Sequence, residues 1–422
     1  TYNRNRRSRS GAIPQEGIIR ALVIGLMALM FTPTVHAQPE GETFDDWRTG
    51  FRVRLSEAGA RPETVASMLD GLTPAMQIIE RDGSQPEFVR PIWSYLDIAA
   101  SDLRIANGRA AYESNRALVD AVAAQYGVRA QTLIAIWGLE SSYGQIPGNN
   151  DIVQALATLA WEGRRRGWAE DQLIATAHMI DNGYATRDQL TGSWAGAMGQ
   201  MQFIPTTYLE RAVDFDGDGR RNIWTNNGDA LASAANLLAR AGWQTGAPTV
   251  IEVSVPDDFD VSRWNPDQNR LVSEWAMRGI APADGHAWSA DGLMLTARLE
   301  LPAGIAGPGF LTFPNFRVIK RYNNSTAYAL GVAHLADRIA GAVPFIGPWP
   351  IDDVPLTRSQ TMDMQAAMNA LGHDSGTPDG LAGPRTRDAL RAFQRAHGHA
   401  ADGYAGRAMY DAVIAAAAAR GE

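Results

Sequence analysis

From about Phe44 to Arg240, apolar residues recur at helical intervals, interrupted by short polar or Gly/Pro stretches. The pattern predicts helices over residues 62–71, 108–126, 130–143, 152–162, 169–182 and 229–241. Gly127 and Gly183 follow two of these runs directly and read as helix stops, because glycine enters the left-handed conformation without a Cβ clash. The period then changes. Residues 249–255, 292–301 and 310–319 alternate and carry β-branched side chains, which predicts strands, and residues 325–340 return to the helical period. The expected body is mainly α-helical with a small β insertion. Residues 343–355 are rich in Pro and Gly and read as a linker. Beyond it, residues 357–418 form a compact unit of three helical segments, 359–371, 383–397 and 403–418, with similar Asp-Gly turns at Asp379-Gly380 and Asp402-Gly403.

One carboxylate breaks the pattern. In LIAIWGLESSYG, residues 133–144, the apolar stripe of Leu133, Ile136 and Trp137 is continued by Glu140, three residues past Trp137 and four past Ile136. Gly144 offers a helix end, which would leave Glu140 in the last turn at the edge of a cleft. A carboxyl held against apolar side chains has its charged form disfavoured, so it keeps a proton nearer neutral pH and suits general-acid work. Taken alone, the stretch reads first as a Glu reaching solvent from a helix end.

Composition narrows the class. The chain has 422 residues, is 45% hydrophobic and carries a formal net charge of -8, which argues against a general nucleic-acid binder. It has no Cys, so disulfides, thiolate metal sites, a cysteine nucleophile and a lipidated cysteine are all excluded from this sequence. Arg4, Arg6, Arg7 and Arg9, a mostly apolar run over residues 18–31 interrupted by Arg20, and Val35-His36-Ala37 before Gln38 have the form of a secretory leader ending at residue 37. The chain opens on Thr1, which leaves room for residues ahead of it. The expectation is export to the periplasm, either free or held by an uncleaved leader, and not as a lipoprotein.

Two further motifs carry chemistry. The turn GAMGQMQFIP, residues 196–205, would let backbone approach a ligand closely and presents amides suited to sugar hydroxyls and N-acetyl groups; alone it reads first as a helix connection. Asp214-Phe215-Asp216-Gly217-Asp218-Gly219 has the D-x-D-x-D-G core of a calcium loop, with Gly at the sixth position. Thr225 stands where a bidentate Glu is expected, so a longer loop closed by Asp229, with the Arg220 carbonyl in the middle, is required. Such a metal would be structural. Arg164, Arg165 and Arg166 read as a solvated helix end, the His residues form no metal-type pair, and Ser141 and Ser142 have no nucleophile elbow or His partner.

Together these stretches resemble the lytic murein transglycosylase B family. The resemblance runs through WGLESSYG at 137–144, SWAGAMGQMQFIPTTY at 193–208, VDFDGDGRRNIW at 213–224, DALASAANLLARAGW from Asp229 and RYNNSTAYAL from Arg321. LGHDSGTPDGLAGPRTRDALRAFQRAHG at 371–398 separately resembles the small peptidoglycan-binding domain. The resemblance implies a lysozyme-like α-helical catalytic domain over 38–345, a linker over 346–356 and a three-helix peptidoglycan-binding domain over 357–420. It implies cleavage of the β-1,4 bond between N-acetylmuramic acid and N-acetylglucosamine, with Glu140 as the single acid and base. Tyr95, Ser142, Gln202, Tyr322, Asn323 and Tyr328 would bind the glycan, with Tyr95 matched by spacing more than by motif. Asp214, Asp216, Asp218, Arg220 and Asp229 would hold Ca²⁺, and no organic cofactor is expected. The implied partners are peptidoglycan strands and proteins of wall synthesis or remodelling, with no nucleic acid; the chain is expected to be a monomer. A hydrolytic muramidase and a noncatalytic wall-binding scaffold are the competing readings.

Overall fold

The computed structural model describes residues 41–83 and 91–421; the leader expected before residue 38 lies outside them. The chain begins with α1 (Phe44–Glu57), α2 (Pro62–Leu69), α3 (Met76–Gly83) and α4 (Ile92–Ala99). Then come α5 (Asp102–Ser114), α6 (Arg116–Tyr126) and α7 (Ala130–Ser141). The single helix expected over 108–126 is therefore two, jointed at Asn115 with φ -119° and ψ 15°. The joint has no Gly or Pro. Asn115 instead turns its own amide back, donating to the Ala111 carbonyl at 2.9 Å, and such local bonding competes with helix continuation. Gly127 caps α6 in the left-handed conformation, as its place in the sequence predicts.

Helix α7 is the centre of the body. All its residues from Thr132 to Ser141 are buried, so it shows little amphipathicity; a helix enclosed on every side needs no polar face. Against it pack α5, α6, α11 (Asn227–Arg240) and, along its length, α15 (Thr326–Ile339), while α8 (Ile152–Glu162), α9 (Arg166–Asp181), α10 (Pro205–Arg211) and α14 (Pro314–Tyr322) complete the body. A two-stranded ribbon, β1 (Asn150–Asp151) with β2 (Thr191–Gly192), leads into the Gly-rich turn. Of the basic cluster, Arg166 is mostly buried and pairs with Glu42, whereas exposed Arg164 pairs with Glu162.

The insertion is a five-stranded antiparallel sheet, ordered β4 (Arg270–Leu271), β6 (Thr296–Glu300), β7 (Gly309–Thr312), β3 (Val250–Ser254), β5 (Ala281–Pro282). Val253, Leu299 and Leu311 join Trp264, Trp275 and Phe313 in its own core. Two strand expectations need correction. In 310–319 the strand stops at Thr312 and α14 starts at Pro314, because proline fits the first helical turn and cannot serve a strand ladder. In 292–301 the first residues close a short helix, Ala290–Leu293, and the strand begins at Thr296.

A third core, built on Met364, Met368, Leu390, Phe393 and Val413, holds α16 (Arg358–Ala370), α17 (Pro384–Ala396) and α18 (Arg407–Gly421) together. The paired Asp-Gly turns have a common cause. Buried Gln365 donates to Asp379 Oδ1 at 2.9 Å and accepts from the Gly380 amide at 2.9 Å, while buried Gln394 donates to Asp402 Oδ1 and accepts from the Gly403 amide, both at 2.8 Å. This unit rests on the insertion. Asp402 accepts from the Ile305 amide at 3.1 Å, and the Arg391 guanidinium lies over the Trp264 ring at 5.7 Å.

Candidate active site

Glu140 sits one residue before the end of α7. The helix does not run on to Tyr143, as its apolar pattern suggests. Ser142 and Tyr143 both take positive φ, 51° and 61°, and the Tyr143 amide turns back to the Trp137 carbonyl at 3.1 Å. Tyr143 can lie against the helix because Gly138 and Gly108 leave a slot: a Cβ on Gly138 would come within 2.5 Å of the phenol ring, and one on Gly108 within 2.7 Å of its hydroxyl. The hydroxyl donates to the Arg104 carbonyl at 2.6 Å. Among the described residues, the non-glycine positions with positive φ are Ser142, Tyr143 and Gln202, at the exit of α7 and on the Gly-rich turn. Each left-handed non-glycine residue costs about 1–3 kcal/mol, and such strain concentrates at functional sites.

The carboxyl itself is buried, with 2% of its surface exposed. The sequence places it at a cleft edge; the structure puts it under a layer of tyrosines. Tyr328, on α15, donates its hydroxyl to Glu140 Oε1 at 2.5 Å. Tyr322, at the end of α14, stacks on Tyr328 with centroids 6.4 Å apart and donates to the Met201 carbonyl at 2.5 Å, which ties the Gly-rich turn to this wall. Tyr95 of α4 is buried beside the carboxylate, and its hydroxyl has no hydrogen-bond partner among the described residues.

Burial pushes the Glu140 carboxyl up to about 8 from an ordinary 4.5, and the Tyr328 hydrogen bond works in the opposite direction, favouring the anion. Among the described residues, no second carboxylate shifts it. Burial, reinforced by the Glu140 charge, raises the tyrosine hydroxyls too, so Tyr95, Tyr322 and Tyr328 stay neutral donors. At neutral pH Glu140 is a protonated acid that can also release its proton.

Gln202 is buried on the turn, where its Nε2 donates to the Pro147 and Gly199 carbonyls at 2.8 and 2.9 Å, leaving its own carbonyl oxygen to accept. Asn323 caps the end of α14, and its Oδ1 accepts from the Ser325 amide at 3.1 Å.

The acidic loop lies apart from this centre. Asp214, Asp216 and Asp229 each bring a carboxylate oxygen within 4.8 Å of the others. Asp214 accepts from the Gly217 and Gly219 amides, and Asp229, fully buried at the head of α11, accepts from the Phe215 and Asn222 amides at 2.8 and 2.7 Å. Burial raises the Asp229 carboxyl, with the Asp216 and Asp214 charges adding to it. Asp218 is outside the triad, and its carboxylate accepts from the Arg220 amide at 2.8 Å.

Glu140 thus lies buried at the end of a central helix, under a tyrosine layer that is bonded to the Gly-rich turn. The family model described as Transglycosylase SLT domain matches residues 43–337. The chain belongs to this transglycosylase family. A second model, Putative peptidoglycan binding domain, matches residues 357–413. The transglycosylase is 29% identical over 294 residues to the membrane-bound lytic murein transglycosylase B of Escherichia coli K12, covering 68% of this chain and 76% of that one. Among solved structures, SltB3 of Pseudomonas aeruginosa in complex with NAG-NAM-pentapeptide is 44% identical and covers 88% of this chain and all of its own, with a TM-score of 0.84. The Escherichia coli lytic transglycosylase Slt35 in complex with calcium is 26% identical over 69% of this chain and 92% of that one, with a TM-score of 0.59. The expected fold class is thereby established: a lysozyme-like helical transglycosylase body, a small sheet and a small C-terminal wall-binding fold.

The structure gathers Tyr322 and Tyr328 directly around Glu140, sets Tyr95 beside it, and brings Gln202 in through the turn bonded to Tyr322. Ser142 occupies the strained helix exit. Sequence reasoning missed Arg104. It is buried on α5 near Tyr95 and Tyr143, burial holds its guanidinium below the ordinary range, and its Nη1 has no hydrogen-bond partner among the described residues. Nothing local marks it, since its sequence neighbours are an ordinary polar and apolar mixture.

Proposed function

We propose that this enzyme, a lytic transglycosylase, breaks the β-1,4 bond between N-acetylmuramic acid and N-acetylglucosamine in peptidoglycan without water, and that Glu140 alone supplies acid and base. The carrying observation is the buried Glu140 carboxyl, raised to about 8, bonded to Tyr328 and uninfluenced by a second acid. Glycosidases that employ two carboxylates hold them about 5–10 Å apart. Here the substrate provides the second group.

Protonated Glu140 gives its proton to the glycosidic oxygen as the bond from that oxygen to C1 of the muramic residue breaks. The N-acetyl carbonyl of the same sugar stabilises the cationic centre. The Glu140 carboxylate, accepting from Tyr328, then takes the proton of the C6 hydroxyl, whose oxygen closes on C1 to give a 1,6-anhydro end. Glu140 is protonated again at the close of the cycle. A buried, water-poor carboxyl favours this path, because an intramolecular hydroxyl has a large effective-concentration advantage over solvent. Gln202, Asn323, Ser142 and Tyr95 would position the sugars.

Asp214, Asp216 and Asp229 supply three hard oxygen donors, which fits Ca²⁺. Bound there, the ion would neutralise the crowded carboxylates and stiffen the loop that begins α11. We assign residues 38–345 to the catalytic domain, 346–356 to the linker and 357–420 to wall binding, with the enzyme working in the periplasm. Among the described residues no helix is long and apolar enough to cross a membrane.

The test is Glu140→Gln assayed on isolated sacculi. Loss of murein clearing with retained sacculus binding is expected. Full activity in the variant would remove Glu140 from the mechanism, and an inactive wild type would favour the scaffold reading. Deleting residues 357–422 should weaken sacculus binding more than cleavage of short glycans; an equal loss in both would deny a separable wall-binding unit.

A further inference from the structure

A second groove, of about 630 Å³, opens between the C-terminal half of α5, the exit of α7 and the acidic loop. Glu140, Gln202, Tyr322 and Tyr328 are not among its walls. Its size is in the range of sites that enclose small organic ligands. Its chemistry is uniform: the lining includes Asn107, Asn115, Gln145, Asn227, Trp137 and Trp224, and no charged side chain.

The amides form a ladder along it. The Trp137 indole donates to Gln200 Oε1 at 2.9 Å, Gln200 Nε2 to Asn227 Oδ1 at 3.1 Å, Asn227 Nδ2 to Asn115 Oδ1 at 3.1 Å, and Asn115 Nδ2 to the Ala111 carbonyl at 2.9 Å. This chain of bonds fixes which end of each amide is oxygen and which is nitrogen. Gln200, Asn227 and Asn115 each retain one N–H and one lone pair for a ligand. The joint at Asn115, which divides α5 from α6, is what brings that amide into the row. Trp224 supplies the second observation. Its ring packs on Tyr208 with centroids 5.6 Å apart, and its indole N–H is buried with no hydrogen-bond partner among the described residues. A buried donor without an acceptor is costly, and a native structure retains one where something else can accept.

We propose that this groove is a second carbohydrate site, binding an uncharged N-acetylhexosamine unit apart from the centre at Glu140. Oriented amides answer hydroxyls and the N-acetyl group, and indole rings cover the apolar face of a sugar. The lining carries no charged side chain, which suits an uncharged N-acetylglucosamine unit. This site stands on its own lining and does not require the lyase reading.

The test uses the full-length Glu140→Gln protein, ¹⁵N-labelled at its indoles, titrated with tri-N-acetylchitotriose, with the Trp224 resonance assigned by Trp224→Phe. A saturable movement of the Trp224 N–H is expected. Ala110→Trp, which fills the groove from an exposed position on α5, should abolish it. Asn107→Ala, at another exposed helical position, should weaken the same titration about threefold to tenfold. A Trp224 resonance that stays fixed overturns the proposal, as does a movement that persists in Ala110→Trp or an unchanged Kd in Asn107→Ala. None of these results bears on the products formed by the wild type, which test the reaction at Glu140 separately.

Discussion

Replacing Glu140 by Gln should stabilise the protein, and increasingly so as pH rises. In the unfolded chain the carboxyl ionises near 4.5, whereas in the folded chain burial moves ionisation to about 8. Between these values the folded state binds more protons than the unfolded state, so wild-type stability falls with rising pH across that window and levels off above it. Below 4.5 both states hold the proton and the group contributes no difference. Glutamine does not titrate and keeps an oxygen to accept from Tyr328. The stability of the variant minus that of the wild type therefore starts near zero in acid and grows to at most about 5 kcal/mol above pH 8, at about 1.4 kcal/mol for each pH unit crossed. For a body of this size that is a difference in Tm of up to about 10 °C. The assay is a pair of melting series at matched buffers from about pH 5 to about pH 9; every other titrating group cancels in the difference. A gap that is constant with pH, or that shrinks as pH rises, would refute the claim that a neutral carboxyl is buried at this position.

Tyr328→Phe removes the hydrogen bond that favours the anion, so the alkaline limb of the pH-rate profile should move to higher pH while kcat falls about tenfold to a hundredfold; an unmoved limb would detach Tyr328 from Glu140. Chelator should lower Tm, with calcium restoring it, and Asp229→Asn should abolish that response. A melting curve indifferent to chelator would leave the acidic loop without a cation.

How far the site was legible depends on whether its determinants are local. The stripe of Leu133, Ile136 and Trp137 put Glu140 on the inner face of its helix, and the Asp-x-Asp-x-Asp-Gly spacing holds two of the three gathered carboxylates, Asp214 and Asp216, while its third Asp, Asp218, lies outside them. Its depth was not legible, because the residue that covers it, Tyr328, comes from 188 positions away in the chain. Tyr328, Tyr322 and Tyr95 entered only through family resemblance; nothing in their own neighbourhoods points to a carboxylate. The strand expected over 310–319 followed β-branched Val318 and Ile319, while Pro314, a helix-start signal, was the better guide. The joint at Asn115 had no breaker residue to announce it, and its cause is a side-chain bond seen only in the fold. Arg104 shows the same limit: its burial is made by Tyr95 and Tyr143, which surround it from other helices and turns.

In the proposed reaction one carboxyl, aided by the sugar's own hydroxyl, does the work of two carboxylates and a water. Digesting sacculi with the wild-type enzyme in oxygen-18-labelled water and weighing the released muropeptides decides it. The expected products are 1,6-anhydro ends, one water lighter than reducing ends, carrying no label. Labelled reducing ends would show that solvent attacks C1, and would contradict it.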